Sequence, residues 1–384
     1  MGLIEAGGRT LWDDPAHIIR ELAPEHPVMV FCAPVLVANL RRFQRGFPGC
    51  VTYAVKANPD RAVIRMLVRA GIAGFDVASP HEIELIGRLA PGAARHYHNP
   101  VRAEAEIAQA LRAGIRVWSV DSLSELDKLT RQALPPGTEI AARFKLPVAG
   151  AAYDFGAKFG AEPDLAARLL RRIAALGHVP SLTFHPGTQC ADPAAWESYI
   201  LMARRIGDMA GVRPRRLNVG GGFPSYRVAA APPPLEAIFA RIDDAATRAF
   251  GQARPELVCE PGRALCADAF SLITRVKALR DGGPVFLNDG VYGGLTELPQ
   301  IGNLDRIEVF SPAGRRRRAP PVARTVFGPT CDSLDRLPGE LPLPGDLAEG
   351  DHLVFHGAGA YSIVTNTHFN GFGQVTRLSV KSVS

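Results

Sequence analysis

The stretch "VTYAVKANPD", residues 51–60, decides how the chain is read. A β-branched apolar run ends there on a lysine, Lys56, with Ala57, Asn58 and Pro59 directly after it. Lysines ordinarily keep the ammonium in water, and a charged amine at the mouth of a buried strand is costly unless another group uses it. Lys56 therefore predicts a strand whose C-terminal end opens onto a site.

Working outward, "CVTYAV", "GFDVA", "RHYHN", "IRVWSV", "EIAARF", "SLTFH", "RLNVG" and "ELVCE" read as strands, separated by stretches such as "SPHEIELIGRLA" and "EPDLAARLLRRIAALG". Apolar residues in the longer stretches recur near a 3.6 period, and Ser, Asp or Pro often stands at their start, which marks helices. Roughly eight β/α units over ~240 residues predict an α/β fold of the TIM type, a (β/α)8 barrel over residues 27–265, rather than a doubly wound sheet. Past Cys266 the segments "RIEVFSP", "DHLVFHGAG" and "QVTRLSVKSV" are short, β-branched and punctuated by Gly and Pro. They predict a C-terminal antiparallel β domain over 266–384, which also takes up the N-terminal segment 1–26.

Composition narrows the class. Of 384 residues, 47% are hydrophobic and 21% charged, a globular balance that argues against disorder and against a membrane protein. No apolar run is long enough to span a bilayer, and "MGLIEAGGRTLWDD" has no signal-peptide pattern, so a cytoplasmic enzyme is expected. The net charge of +6 is concentrated in "AGRRRRAP", where Arg315 to Arg318 read as a solvated loop. Without aromatic interleaving or a basic helix face, no nucleic-acid partner is expected. Cys32, Cys50, Cys190, Cys259, Cys266 and Cys331 show no CxxC pair and no metal spacing, and read as reduced thiols, mostly buried.

Barrels of this kind carry their chemistry at the C-terminal ends of the strands. The first ends on Lys56, the second on Asp76, the fifth on Arg143, the sixth on His185, the seventh on "GGGFP" and the eighth on Glu260 of "EPGRAL". A desolvated Lys56 can attack an aldehyde such as that of pyridoxal phosphate; the alternative is a lysine whose stem packs and whose head reaches water. Gly220, Gly221 and Gly222 let backbone N–H groups approach a phosphate, with Gly262 and Arg263 following the eighth strand. The triplet lacks the third glycine and immediate helix of a dinucleotide fingerprint. His185 is placed either to stack on a planar ring or as a structural histidine. Glu260 is placed to keep a pyridine nitrogen protonated, the alternative being a surface carboxylate. His96 and His98 share one strand face but have no third ligand in view, so no metal site is expected.

Taken in order, "YAVKAN", "GFDVAS", "GAKFGA", "FHPGTQC", "VGGGFP", "CEPGR", "NDGVYG", "FGPTCDSLD", "GAYS" and "FNGF" resemble the fold-type III pyridoxal-phosphate decarboxylases, the ornithine and diaminopimelate decarboxylase family, over nearly the whole chain. "GPTCDSLD" and "FNGF" are closer to the ornithine branch. The resemblance implies pyridoxal 5′-phosphate as cofactor, Lys56 as its Schiff-base lysine, His185 stacked on the ring and Glu260 at the ring nitrogen. Asp76 and Arg143 would support that face. Gly220, Gly221, Gly222, Gly262, Arg263 and Tyr361 would cradle the phosphate, with Thr188 where the family often has serine. It further implies a homodimer with shared sites, in which Cys331 of one subunit protonates the α-carbon and Asp332 meets the distal amine, beside Tyr292 and Phe369.

Two departures stand out. The family's animal ornithine enzymes carry an aspartate some ten positions after the tyrosine of "NDGVYG"; here the segment reads "GGLTELPQIGN", and Glu297 is the candidate replacement. Pro186 stands where an aliphatic residue is usual. The expected reaction is decarboxylation of a basic L-amino acid, ornithine to putrescine first and lysine to cadaverine second. The alternatives are a decarboxylase of a larger biosynthetic intermediate or of diaminopimelate, an amino-acid racemase, and a non-catalytic regulatory homologue.

Overall fold

The computed structural model describes residues 3–5, 9–147, 158–227, 232–281 and 283–383. The first two residues of "GAKFGA", 156–157, lie outside these. By its contacts the chain divides into two compact units, Leu40–Pro224 with Pro233–Gly262, and Met1–Asn39 with Ser225–Pro232 and Arg263–Ser384.

The first unit is a closed parallel barrel of eight strands, Cys50–Ala54, Gly74–Val77, Ala94–Tyr97, Val117–Val120, Glu139–Arg143, Val179–Thr183, Arg216–Asn218 and Glu256–Cys259. The ring closes where Val258 and Cys259 pair with Cys50 and Val51. Each strand coincides with one of the segments read from the sequence, because strands enclosed by helices read as short apolar runs between amphipathic stretches. The helix starts are set locally. Asp60, Ser79, Ser122 and Asp192 each accept a hydrogen bond from a backbone N–H of the first turn, meeting donors that the helix itself leaves unpaired.

Arg102 shows how tightly the barrel wall is built. Its side chain is 2% exposed and lies over the rings of Tyr97 and Trp118, with both centroids 5.3 Å from the guanidinium carbon. It donates to the carbonyls of Tyr97, Pro100 and Ser119 at 3.3, 3.5 and 2.6 Å. Backbone carbonyls and ring faces thus take the place of a carboxylate partner.

The second unit is built on a nine-stranded sheet. Its main path runs Leu3–Glu5, Arg9–Trp12, Thr376–Val380, Val28–Phe31, Phe270–Leu279, Val285–Leu287, Val326–Phe327, and Ile307–Phe310 joins through His352–His356. The N-terminal strands lie in this sheet, as expected, and Val28–Phe31 is with them. Thr376–Val380 runs parallel to both Arg9–Trp12 and Val28–Phe31, so the sheet is mixed rather than purely antiparallel. A strand arriving from a distant part of the chain is free of the hairpin geometry that imposes antiparallel pairing. Trp12, Ile18, Val30, Ile273, Phe310 and Val354 form its core.

The arginine run is not simply a solvated loop. Arg316 pairs with Glu308 at 2.7 Å, and Arg317 with Asp351, a residue with no exposed surface, at 2.9 Å. All six cysteines are free thiols; Cys331 is exposed, Cys50 half-buried and the others buried. Among the described residues, no helix is long and apolar enough to cross a membrane.

Arg102→Ala leaves three carbonyls without their donor and a gap between two rings, and is expected to cost about 2–4 kcal/mol. Arg102→Lys has no planar fork and is expected to recover less than half of that. Urea midpoints at constant slope measure both; an Arg102→Ala protein with an unchanged midpoint would contradict the role given to the guanidinium.

Candidate active site

In the barrel unit the strand ends bring the predicted groups to one rim. Lys56 is the exposed middle residue of a one-turn 3-10 helix, Val55–Ala57, whose other two residues are buried. That turn is locked from below, since the Tyr53 hydroxyl donates to the Asn58 carbonyl at 3.0 Å and the Asp60 N–H donates to Asn58 Oδ1 at 3.0 Å. Backbone geometry thus sets Lys56 on the exposed side of the turn.

His185 follows the sixth strand. Its Nδ1 accepts the Gly187 N–H at 3.1 Å, so the ring is committed to a tautomer with the proton on Nε2. Burial, reinforced by the charges of Lys56 and Arg143, pushes its pKa well below the ordinary imidazole value. Arg143 lies at the end of the fifth strand, with its guanidinium 5.0 Å from the centre of the Phe159 ring. Half-buried Thr188 sits in the turn beyond His185, which is tied to the glycine triplet by the Cys190 N–H donating to the Gly222 carbonyl at 2.9 Å.

The triplet is built for close approach. Gly220 and Gly222 take φ values of +71° and +82°, a region that disfavours side chains. A Cβ on Gly220 would run into the Phe184 carbonyl, and one on Gly222 into that of Gly187. On Gly221 a Cβ would stand 2.8 Å from the Glu260 carbonyl and 3.3 Å from His185 Nε2, and on Gly262 it would stand 2.8 Å from Ala57 Cβ. The Gly220 N–H donates to Asn218 Oδ1 at 2.8 Å, and its carbonyl accepts the Glu260 N–H at 2.8 Å.

Glu260 is 8% exposed, and its Oε1 meets both His98 Nδ1 and Asn218 Nδ2 in short hydrogen bonds. Burial pushes this carboxyl up, but the charge and hydrogen bond of His98 outweigh it and leave the pKa below the ordinary value. Asp76, 5% exposed, goes the other way: burial and the neighbouring Glu260 charge raise it, and its Oδ1 is buried without a hydrogen-bond partner. Two carboxyls on one rim are thus pushed apart in pKa by their surroundings.

His98 and Asn218 were not among the expected site residues. The signal was present, since His98 directly follows the third strand and Asn218 ends the seventh, each at the functional end of the barrel. The third ligand missing from the sequence also appears here: donor atoms of His96, His98 and Glu260 lie within 4.8 Å of one another. His98 and Glu260 are hydrogen-bonded directly to each other.

The sheet unit holds the remaining predicted residues. Arg263, 7% exposed, forks onto Glu297 at 2.6 and 2.5 Å and lies 5.0 Å from the centre of the Tyr361 ring. Glu297 is therefore engaged by an arginine, not held in reserve for a distal amine. Asp332 accepts the Tyr292 hydroxyl at 2.5 Å, the rings of Tyr292 and Phe369 are 5.1 Å apart, and the Cys331 N–H donates to Asn370 Oδ1 at 3.1 Å. Asp335 braces this cluster by accepting the N–H groups of Val291 and Thr330 at 2.9 and 3.0 Å.

Residues 35–267 match the family model described as pyridoxal-dependent decarboxylase, pyridoxal binding domain. The chain is 32% identical to the ornithine decarboxylase of Panagrellus redivivus, over 91% of this chain and 84% of that protein. It is 31% identical to the lysine/ornithine decarboxylase of Selenomonas ruminantium, over 88% and 87%. The crystal structure of the Paramecium bursaria Chlorella virus arginine decarboxylase superposes with a TM-score of 0.84 at 25% identity, covering 94% of this chain and 98% of that one. The barrel rim fits a pyridoxal group: an outward amine, a neutral imidazole face, a buried carboxylate and a glycine cradle that any Cβ would fill.

Gly222→Ala places a methyl against the Gly187 carbonyl at a positive φ, and is expected to weaken pyridoxal phosphate binding at least ~10-fold. Equilibrium dialysis measures this, with circular dichroism as the folding control. Unchanged affinity would rule out the cradle.

Proposed function

The chain belongs to the pyridoxal-dependent decarboxylases, and from that premise we propose that it removes the α-carboxylate of a basic L-amino acid, ornithine to putrescine first and lysine to cadaverine second. The observation that carries this is the barrel rim, where Lys56, neutral His185 and anionic Glu260 stand together. In support of the substrate class, the relatives named above are described as acting on ornithine, on lysine or ornithine, and on arginine.

Pyridoxal phosphate, when bound, supplies an aldehyde for an amine and a ring that takes up the electron pair left as carbon dioxide departs. The protein does the rest. Lys56, exposed at the rim, is assigned as the covalent anchor. His185 offers an uncharged ring face, and because its Nδ1 is occupied by Gly187 it cannot swing out of plane without losing that bond. Glu260 would hold a proton at the ring nitrogen, an interaction that would keep the ring electron-poor. The backbone of Gly220–Gly222 is assigned to the phosphate, together with Gly262 and Thr188; Asp76 and Arg143 are assigned to the anchor face, while Arg263 is committed to Glu297.

Asp332 is assigned to the distal ammonium of the substrate, since Glu297 is committed to Arg263. Cys331 is assigned the proton that the α-carbon takes up once its bond to the carboxylate has broken. Both would act in the partner's site of a homodimer. In support, Cys331 is exposed, and Leu334, Phe369 and Val364 nearby in sequence or structure leave large apolar side chains 74%, 43% and 40% exposed. Decarboxylation of a larger amino acid is the second reading, favoured by the same commitment of Glu297.

The test is purified protein with pyridoxal phosphate and a panel of ornithine, lysine, arginine and diaminopimelate, scored by carbon dioxide release and by the amine formed. Putrescine from ornithine is expected, with loss of turnover and of the cofactor's visible absorbance in Lys56→Ala. Turnover of neither ornithine nor lysine would overturn the substrate; unaltered absorbance in Lys56→Ala would overturn the anchor.

A further inference from the structure

Glu260 serves more than one donor. His98 Nδ1 and Asn218 Nδ2 already converge on its Oε1 from the third and seventh strands. The ring nitrogen assigned to this carboxylate would be a further donor on the same buried anion. His98 is 7% exposed, and its own position is fixed from behind, where the Ser119 hydroxyl donates to its carbonyl at 2.8 Å. Its Nε2 is buried and has no hydrogen-bond partner.

The charges that face His98 define its protonation in the absence of cofactor. Burial opposes an imidazolium, but Glu260, then Asp76 with Oδ1 4.0 Å from Nδ1, then Glu139 favour one, and the net shift is upward from the ordinary value. On its own strand, His96 is pushed down to about 3 by burial and by His98, and stays neutral. Arg143 and Lys56 bear on Glu260 and Asp76 from the fifth and first strands. An imidazolium on a single carboxylate is a neutral pair. An imidazolium and a pyridinium on that same carboxylate would leave a buried cation without a full counter-ion, because Asp76, the other carboxyl facing His98, is itself pushed toward its neutral form by burial and by Glu260.

Resting on the cofactor assignment above, we propose that His98 is a positioning residue that shares Glu260 with the cofactor's ring nitrogen and surrenders a proton to solvent when that nitrogen arrives. The N–H bond that breaks is the one at Nε2, the atom with no acceptor. The electron pair stays on Nε2, the proton passes to buffer, and Nδ1–H remains on Glu260. His98 thereby keeps the carboxylate aimed while ceasing to compete with the ring for its charge. Glu260 then has one cationic partner at a time.

Titration calorimetry in buffers of different ionisation enthalpy tests this at about pH 6, where an imidazole of raised pKa is protonated. The probe is pyridoxamine 5′-phosphate, which has no aldehyde for Lys56 to attack. The wild-type apoprotein is expected to release one more proton per site than His98→Asn, whose amide reaches the Nδ1 position and donates but cannot ionise. Wild type is also expected to release one more proton with this probe than with the analogue in which carbon replaces the ring nitrogen. The phosphate's own protonation cancels in both comparisons. Equal proton release in either comparison overturns the role of His98; if His98→Asn does not fold, the analogue comparison is made in Asp76→Asn, where the second carboxyl facing His98 cannot supply the proton, and equal release there overturns the role. If wild type fails to bind the probe at all, the cofactor assignment fails, and the role of His98 with it.

Discussion

A carboxylate cannot be buried alone, and the barrel is arranged around that constraint. Glu260 sits at the end of the eighth strand with little exposed surface, where an isolated charge would take up a proton instead. It stays ionised because His98 comes from the third strand and Asn218 from the seventh, and because a closed barrel brings distant strand ends to one rim. Asp76, whose Oδ1 has no such partner, is driven toward its neutral form. One rim therefore offers a fixed anion and a carboxyl that can hold a proton, from two side chains of the same chemistry.

Much of this was legible in the sequence. The eight strands were readable because most are short apolar runs closed by a polar residue or glycine. Lys56, His185 and Glu260 were singled out in that way, and each lies at or just beyond a strand end. His98 was passed over because "HYH" invited a search for a metal, whereas its partner is a carboxylate 162 positions further along the chain. No local pattern announces a pairing that only barrel closure creates.

Glu297 shows the opposite failure. Its position after "NDGVYG" suggested a role toward substrate, yet it lies at the start of a four-residue helix, Leu298–Ile301, and turns its carboxylate onto Arg263. Spacing along a sequence measures distance from a motif and carries no information on which neighbour a side chain will prefer. A buried guanidinium needs a counter-ion, and in the sheet unit Glu297 supplies it. Arg316 and Arg317 carry the same lesson, since a run of arginines that reads as solvated is anchored by Glu308 and Asp351.

The strand Thr376–Val380 lies between Arg9–Trp12 and Val28–Phe31, the last strand of the chain inserted between two of the first. During synthesis the early pair has no middle until some 350 further residues have been made, a delay of roughly 20–70 s at common elongation rates. The barrel strands, contained within residues 50–259, are complete well before then. Biogenesis of this protein thus has a built-in order, and its edge-exposed N-terminal strands are the segment most in need of a chaperone's cover while the ribosome is still at work.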